Sequence, residues 1–398
     1  MMLHRIPIWT LPKAVENLIS RYIQFFYHFK EDIYIVDFKL GHNSTISLLY
    51  IGKENLLKYL VERIERLFGE CIIKKTGTVY MPRIKKQIEN YGKNVDLIMV
   101  NTDALFVMKG FVRIPSWIGV ELDTSRSMEE IMQNFSKGTK HDVNRIKKKN
   151  FSFEITTDPE KLEFFYRKMF IPYILKRHGK ILSPNYISYV KSILPRTKLM
   201  LIKLGGEYIG GALIDGKGHI VSLPCMGIIN GEMEYLSQGV PTAINYFHIL
   251  WAKENGIRVL DFGNSRPFLN DGDFQFKRKW GMRIKRSRYL FDVIHLRVVH
   301  FNDSTEKFLE NNPFLYFDGE SLKGFVYRKK LSPDDLPKLY RQYFTKGMES
   351  ILISSSNEME FNEIPNANFS IRTHEKYFDF IDKNLKIFEM SPIEGGKR

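Results

Sequence analysis

Val259–Arg288 reads VLDFGNSRPFLNDGDFQFKRKWGMRIKRSR. Its opening, Arg258-Val259-Leu260-Asp261-Phe262, is a short apolar run that predicts a strand, and Gly263-Asn264-Ser265 ends it with residues that permit a tight turn. A strand that carries an Asp near its carboxyl end and opens into a glycine-containing loop is a usual place for a ligand site in an α/β protein. Twelve residues further on, Gln275-Phe276-Lys277-Arg278-Lys279-Trp280-Gly281 sets a lysine between two aromatic residues and closes on glycine.

Two upstream blocks stand in a fixed order with this one. Phe135-Ser136-Lys137-Gly138-Thr139-Lys140-His141-Asp142-Val143-Asn144-Arg145-Ile146-Lys147-Lys148-Lys149 reads as a basic helix. Phe165-Tyr166-Arg167-Lys168-Met169, followed by Lys176-Arg177-His178-Gly179, reads as a helix and a loop. The three blocks together, over about residues 130 to 290, resemble the FemAB-like and CelD-like branch of the GNAT acyltransferases. The resemblance implies an α/β (α+β) fold of tandem GNAT-like domains, with mixed, mostly antiparallel sheets flanked by helices, plus a C-terminal appendage. It does not reach the last hundred residues.

A chain of 398 residues is too long for one compact core and predicts two or three domains. With 43% hydrophobic and 14% aromatic residues it has ample material for packed cores, which excludes global disorder. Cys71 and Cys225 are isolated thiols with neither metal-type spacing nor the look of a disulfide framework. Lys13, Glu16 and Arg21 interrupt the apolar opening before it reaches the length of a membrane span, so the expectation is a soluble, cytoplasmic protein that holds no metal.

The net charge of +15 is unevenly placed. Residues 299–398 hold 14 Lys/Arg and 16 Asp/Glu, so the first 298 carry the whole surplus, 46 against 29. Within them Lys137–Lys149 has six Lys/Arg and Lys277–Arg288 has seven. Two solvated faces account for such a pattern. So does a groove for an anion: the phosphates of coenzyme A, an acidic acceptor or the backbone of a tRNA.

Periodicity divides the chain into three regions, expected as domains at 1–150, 151–298 and 299–398. In the first, residues 33–38 and 45–51 read as strands of a hairpin around Gly41-His42-Asn43, and Glu54–Leu67 as an amphipathic helix. Strands are expected at Val95–Val100, Ala104–Val107 and Trp117–Leu122, with one helix over Ser127–Lys149. In the second, Asp158-Pro159 starts a helix through Met169 and Asn185–Ile193 is another. Strands follow at Lys198–Lys203, Tyr208–Ile214 and His219–Met226, then a helix over Thr242–Asn255, then the Val259 strand. This succession is the order expected of a GNAT core. In the third region Gly324–Tyr327 is apolar, Leu336–Phe344 is helical, and Ile351–Ser354 is a strand of an appended α/β element.

The resemblance implies transfer of an acyl group from acyl-CoA to an amine. The tetrahedral intermediate of that reaction needs a fixed donor or cation for its oxyanion, and in this family the role falls to the lysine of the aromatic-Lys element, here Lys277. Asp261 is the candidate base, or the group that orients the amine; an Asp that hydrogen-bonds the turn after its strand is the other reading. Tyr289, at the start of an alternating strand, is the candidate acid for the leaving thiolate. Gln238, Gly239, Thr242 and Ala243, before and within a helix start, are the candidate cradle for the donor pyrophosphate. That loop has one glycine and Pro241 where simple GNAT enzymes have a glycine-rich Q/R-x-x-G-x-G/A turn, so acyl-CoA and aminoacyl-tRNA both stay open as donors. Arg177, His178, Gly263, Asn264, Phe276 and Trp280 are the candidate contacts for the acceptor. A Fem-type aminoacyl-tRNA ligase, and a non-catalytic or nucleic-acid-binding protein on the same scaffold, stand as alternatives.

Overall fold

The computed structural model describes residues 22, 26–40, 44–178, 184–287, 292–356, 369–381 and 383–393. The chain forms two compact units. Unit 1 comprises Met1–Ile118, Ser265–Phe274 and Lys285–Arg398, and unit 2 comprises Gly119–Asn264 and Gln275–Ile284.

The strands in chain order begin with β1 (Lys30–Leu40), β2 (Ser44–Gly52), β3 (Cys71–Tyr80), β4 (Leu97–Asp103), β5 (Val112–Pro115) and β6 (Ile118–Asp123). Next come β7 (Phe151–Thr156), β8 (Lys198–Leu204), β9 (Glu207–Lys217), β10 (Ile220–Ser222), β11 (Met226–Ile228), β12 (Val259–Ser265) and β13 (Arg283–Arg286). The last are β14 (Asp292–Val298), β15 (Phe314–Asp318), β16 (Ser321–Arg328), β17 (Ile351–Ser355), β18 (Phe369–Phe378) and β19 (Lys383–Pro392).

Unit 1 contains a six-stranded sheet in the order β3-β1-β2-β4-β14-β5 and a five-stranded sheet in the order β15-β16-β17-β19-β18. β2 runs parallel to β4, while β1, β3, β14 and β5 join antiparallel. The expected hairpin is present, with Leu40 opposite Ser44; its tip at Gly41–Asn43 lies outside the described residues. One core serves both sheets, joining Leu48, Tyr50, Leu97 and Ile294 to Phe314, Phe325 and Ile387. Helix Glu54–Phe68 closes it with Leu56, Leu57, Leu60, Val61 and Ile64, as the 3.6-residue period predicted, and with Phe68 in place of the expected Leu67, which is only half-buried.

Unit 2 is built on an eight-stranded sheet, in the order β13-β6-β12-β10-β9-β8-β7 with β11 alongside β9. β7, β8, β9 and β10 are joined antiparallel, and β10 is parallel to β12 over Ile220–Ser222 and Val259–Asp261. Antiparallel strands, then helix Val240–Glu254, then a parallel strand is the succession expected from the sequence. A π-helical turn at Phe165–Phe170 packs Phe165, Met169 and Phe170 onto Leu199, Leu201 and Leu213.

The two sheets share a device. In unit 1 the strand between β4 and β5 is β14, and in unit 2 the strand between β12 and β13 is β6. Each closing strand comes from a distant part of the chain. The fold is thus a mixed, mostly antiparallel α/β architecture of sheets flanked by helices, with a third sheet at the carboxyl end.

Several expected elements are corrected. Ser127–Lys149 is two helices, Met128–Gln133 and Lys137–Lys148, because Ser127 caps the first in a capping box with Glu130 and Ser136 caps the second through the Thr139 N–H. Ala104–Val107 is not a strand; Asp103 Oδ1 accepts the Leu105 N–H and turns the chain there. His219–Met226 is split into β10 and β11 at Leu223–Cys225, where Pro224 has no N–H for a ladder. The β18–β19 hairpin carried no expectation, since its alternation is blurred by residues such as Arg372 and Lys386 on a strand pair with one wet face.

Candidate functional site

The parallel pair of unit 2 divides. β10 accompanies β12 only as far as Ser222 opposite Asp261. Beyond that point β11 pairs with β9, Met226 opposite Ala212 to Ile228 opposite Gly210, while β12 continues through Phe262, Gly263 and Asn264 beside β6. Where two parallel strands part, backbone groups that would have paired with each other face a gap, which is where open α/β sheets place ligands.

Lys277 stands at this end of β12. It lies in the last turn of the short helix Gly272–Arg278 and is 9% exposed. Its Nζ donates to the Asn264 carbonyl at 3.0 Å. Two residues chosen separately from the sequence are thereby joined, and the solvated-lysine reading does not describe a side chain so covered. Asp261 Oδ1 accepts the Gly263 N–H at 2.8 Å, a contact inside β12, which continues to Ser265 where the sequence predicted a tight turn at Gly263-Asn264-Ser265. Gly263 takes the left-handed backbone conformation there, at φ 72°, as an irregularity within the strand rather than its end.

The two aromatic residues of the element separate. Phe276 is 38% exposed, whereas Trp280 is buried and meets Phe135 edge-on with ring centroids 5.0 Å apart. The Ser136 N–H donates to the Lys279 carbonyl at 2.8 Å. Gly281 has φ +68°, and a Cβ there would lie 2.6 Å from Asn134 Cβ and 2.7 Å from the Asn134 carbonyl oxygen. The break between the two helices of the basic block is therefore the seat of the Trp280-Gly281 turn. This explains why the blocks occur together and why the second ends on glycine.

Gln238, Gly239, Thr242 and Ala243 occupy the junction between helix Glu234–Gln238 and helix Val240–Glu254, with Gly239 as the shared left-handed residue. Gln238 Nε2 is bonded to Glu234 Oε1 at 3.0 Å. The Ala243 N–H donates to the Gly239 carbonyl at 2.9 Å, which takes it out of any cradle, and Pro241 has no N–H. The Val240 and Thr242 amides have no intrahelical partner, as at any helix start, but Val240 is buried and Thr242 half-buried. Arg145 of the basic helix reaches this junction, donating from Nη2 to the Ser237 carbonyl at 3.4 Å. Sequence reasoning placed Arg145 only in a charged block; its i, i+1 relation to the buried Ile146 is the signal that it flanks a packed face.

Arg177 is exposed in the final turn of helix Ile171–His178 rather than in a loop, and hydrogen-bonds Tyr173. That bond joins it to its own helix and to none of the residues above. The His178 side chain and Tyr289 lie outside the described residues.

No family model matches this chain and no curated protein matches it. Among solved structures it is similar to one described as FemX, at 12% identity over 75% of this chain and 98% of that one, with a TM-score of 0.38. Another is L-PGS from Bacillus licheniformis, at 14% identity over 69% and 87%, with a score of 0.34. A third is a tandem GNAT protein from the clavulanic acid biosynthesis pathway, at 11% over 58% and 76%, with a score of 0.28. Likenesses this distant carry no argument for an activity, and the fold assignment rests on the strand order of the sheets. Among the described residues no helix is long and apolar enough to cross a membrane.

Proposed function

We propose that the chain is a GNAT-type acyltransferase that moves an acyl group from acyl-CoA to an amine, with its site in unit 2. The observation that carries this reading is the divergence of β11 from β12 with a buried lysine held at its mouth by Asn264. The extended amide chain of a coenzyme A thioester fits such a gap as an added strand. The amine attacks the thioester carbonyl, the carbonyl oxygen gains charge, and collapse of the intermediate expels the thiolate. The Lys277 ammonium, already desolvated and fixed, supplies the cation for that oxygen at little reorganisation cost.

The donor phosphates fit the helix junction in part. The Thr242 amide and the Arg145 guanidinium offer donors there, while Pro241, the bonded Ala243 amide and the buried Val240 offer none. Coenzyme A is therefore expected to slow amide exchange at Thr242 and to leave Ala243 unchanged. Absence of protection at saturating coenzyme A would reject the acyl-CoA reading. The second reading, an aminoacyl-tRNA donor, is favoured by the exposed basic residues Lys137, Lys147, Lys148 and Lys149 on and beside the helix that carries Arg145. It predicts binding of tRNA that weakens steeply with salt.

A further inference from the structure

His248, on helix Val240–Glu254, is fully buried, and neither of its ring nitrogens has a hydrogen-bond partner among the described residues. A buried polar atom left unpaired destabilises a fold, so a position that needed only packing is better filled by a hydrocarbon ring. The imidazole lies between two aromatic rings, with centroids 6.1 Å from Trp251 and 6.2 Å from Phe262. Burial drives its pKa down to about 3, which keeps the ring neutral near pH 7, with one N–H donor and one acceptor nitrogen.

Phe262 ties this imidazole to the divergence of the strands. The last paired residues of β10 and β12 are Ser222 and Asp261, so Phe262 is the first residue of β12 beyond the fork. It is half-buried, whereas His248 behind it is covered completely. Asn245 is also buried and stands three residues before His248, on the same face of the helix. The pair forms a polar stripe on a helix whose other buried residues are apolar or aromatic.

We propose that His248 is a donor-binding residue whose imidazole hydrogen-bonds an amide of the pantetheine chain lying in the fork between β11 and β12. The inference rests on the acyl-CoA reading. An amide presents an N–H and a carbonyl oxygen, the complement of an imidazole that has one acceptor and one donor. Phe262 separates the imidazole from the fork, so the bound chain reaches His248 by turning that ring aside. The unpaired nitrogens of the free protein are then satisfied only when the donor is in place, which makes the stability lost in the free chain a source of donor selectivity.

The test uses the full chain and two probes, coenzyme A and adenosine 3′,5′-bisphosphate, which has phosphates but no amide chain. Coenzyme A is expected to shift the ring-nitrogen NMR resonances of His248, and the bisphosphate is expected to leave them in place. His248→Phe keeps a ring and removes both nitrogens. It is expected to weaken coenzyme A binding about tenfold by calorimetry, yet to melt, unliganded, at or above the parent temperature. His248→Gln, which restores a donor and an acceptor, is expected to recover part of the affinity. A purely structural His248 moves the melting temperature and leaves affinity alone. Should His248→Phe fail to fold, the parent spectrum decides, with the resonances assigned by their loss in His248→Gln. Coenzyme A binding that leaves the His248 resonances unmoved, an equal shift by the bisphosphate, or parent-like affinity in folded His248→Phe overturns this inference and leaves the acyl-CoA reading standing. Absence of coenzyme A binding to the parent overturns both.

Discussion

Lys277→Ala is expected to lower kcat by about 10²- to 10³-fold with donor affinity nearly unchanged, the magnitude for losing one fixed oxyanion partner. Lys277→Arg is expected to recover part of the rate, since a planar guanidinium cannot put its charge where an ammonium does. Lys277 Nζ also holds the Asn264 carbonyl, so a purely structural role has to be separated from a chemical one. Denaturant midpoints do this for stability, and the split between kcat and KM does it for chemistry. Arg278 and Lys279 are the internal controls. Lys279 is exposed and Arg278 partly so, and alanine at either is expected to give a small, salt-sensitive loss. Equal, modest effects at all three positions would reduce Lys277 to one charge of a basic surface and withdraw the proposed site. An acyl-CoA consumption assay at two ionic strengths, run with amines of different length, makes the comparison.

Gly281→Ala is expected to destabilise the chain by about 2–5 kcal/mol. The left-handed backbone at φ +68° costs any residue with a Cβ about 1–2 kcal/mol. The new methyl would also meet Asn134 backbone at 2.7 Å, an overlap relieved only by moving the helix break that Ser136 caps. Because that break also seats Trp280 against Phe135, the loss is expected to appear as a fall in unfolding midpoint together with a change in tryptophan fluorescence. A change below about 0.5 kcal/mol, the range of ordinary surface substitutions, would mean that the turn does not rest on Asn134 as described. Gly272→Ala, where a Cβ meets nothing within 4 Å, is the matched control.

Much of the secondary structure was legible because it is written in short-range patterns. Helix Glu54–Phe68 has its apolar residues at helical spacing, and the β1–β2 hairpin has two β-rich runs a few residues apart. The single helix expected over Ser127–Lys149 ignored the caps that Ser127 and Ser136 each supply, and the contact of Asn134 with Gly281, far along the chain, shows what the break is used for. At Ala243, helix periodicity marks where a helix begins but not which amide its own hydrogen bonds have already claimed.

By itself the sequence determined much of the succession of strands and helices, the place where β12 begins and the concentration of positive charge outside the last hundred residues, because each follows from near neighbours or from composition. Tertiary structure decided which strands share a sheet. Nothing local in β6 or β14 tells it to lie between β12 and β13 or between β4 and β5, since strands of similar length and apolar content compete for the same edge, and the outcome depends on the whole sheet. Tertiary structure also decided the burial of Lys277 and of His248. It sets Lys277 on a carbonyl 13 positions away and His248 against Phe262 of β12, and a polar side chain reads the same in sequence whether water or protein surrounds it.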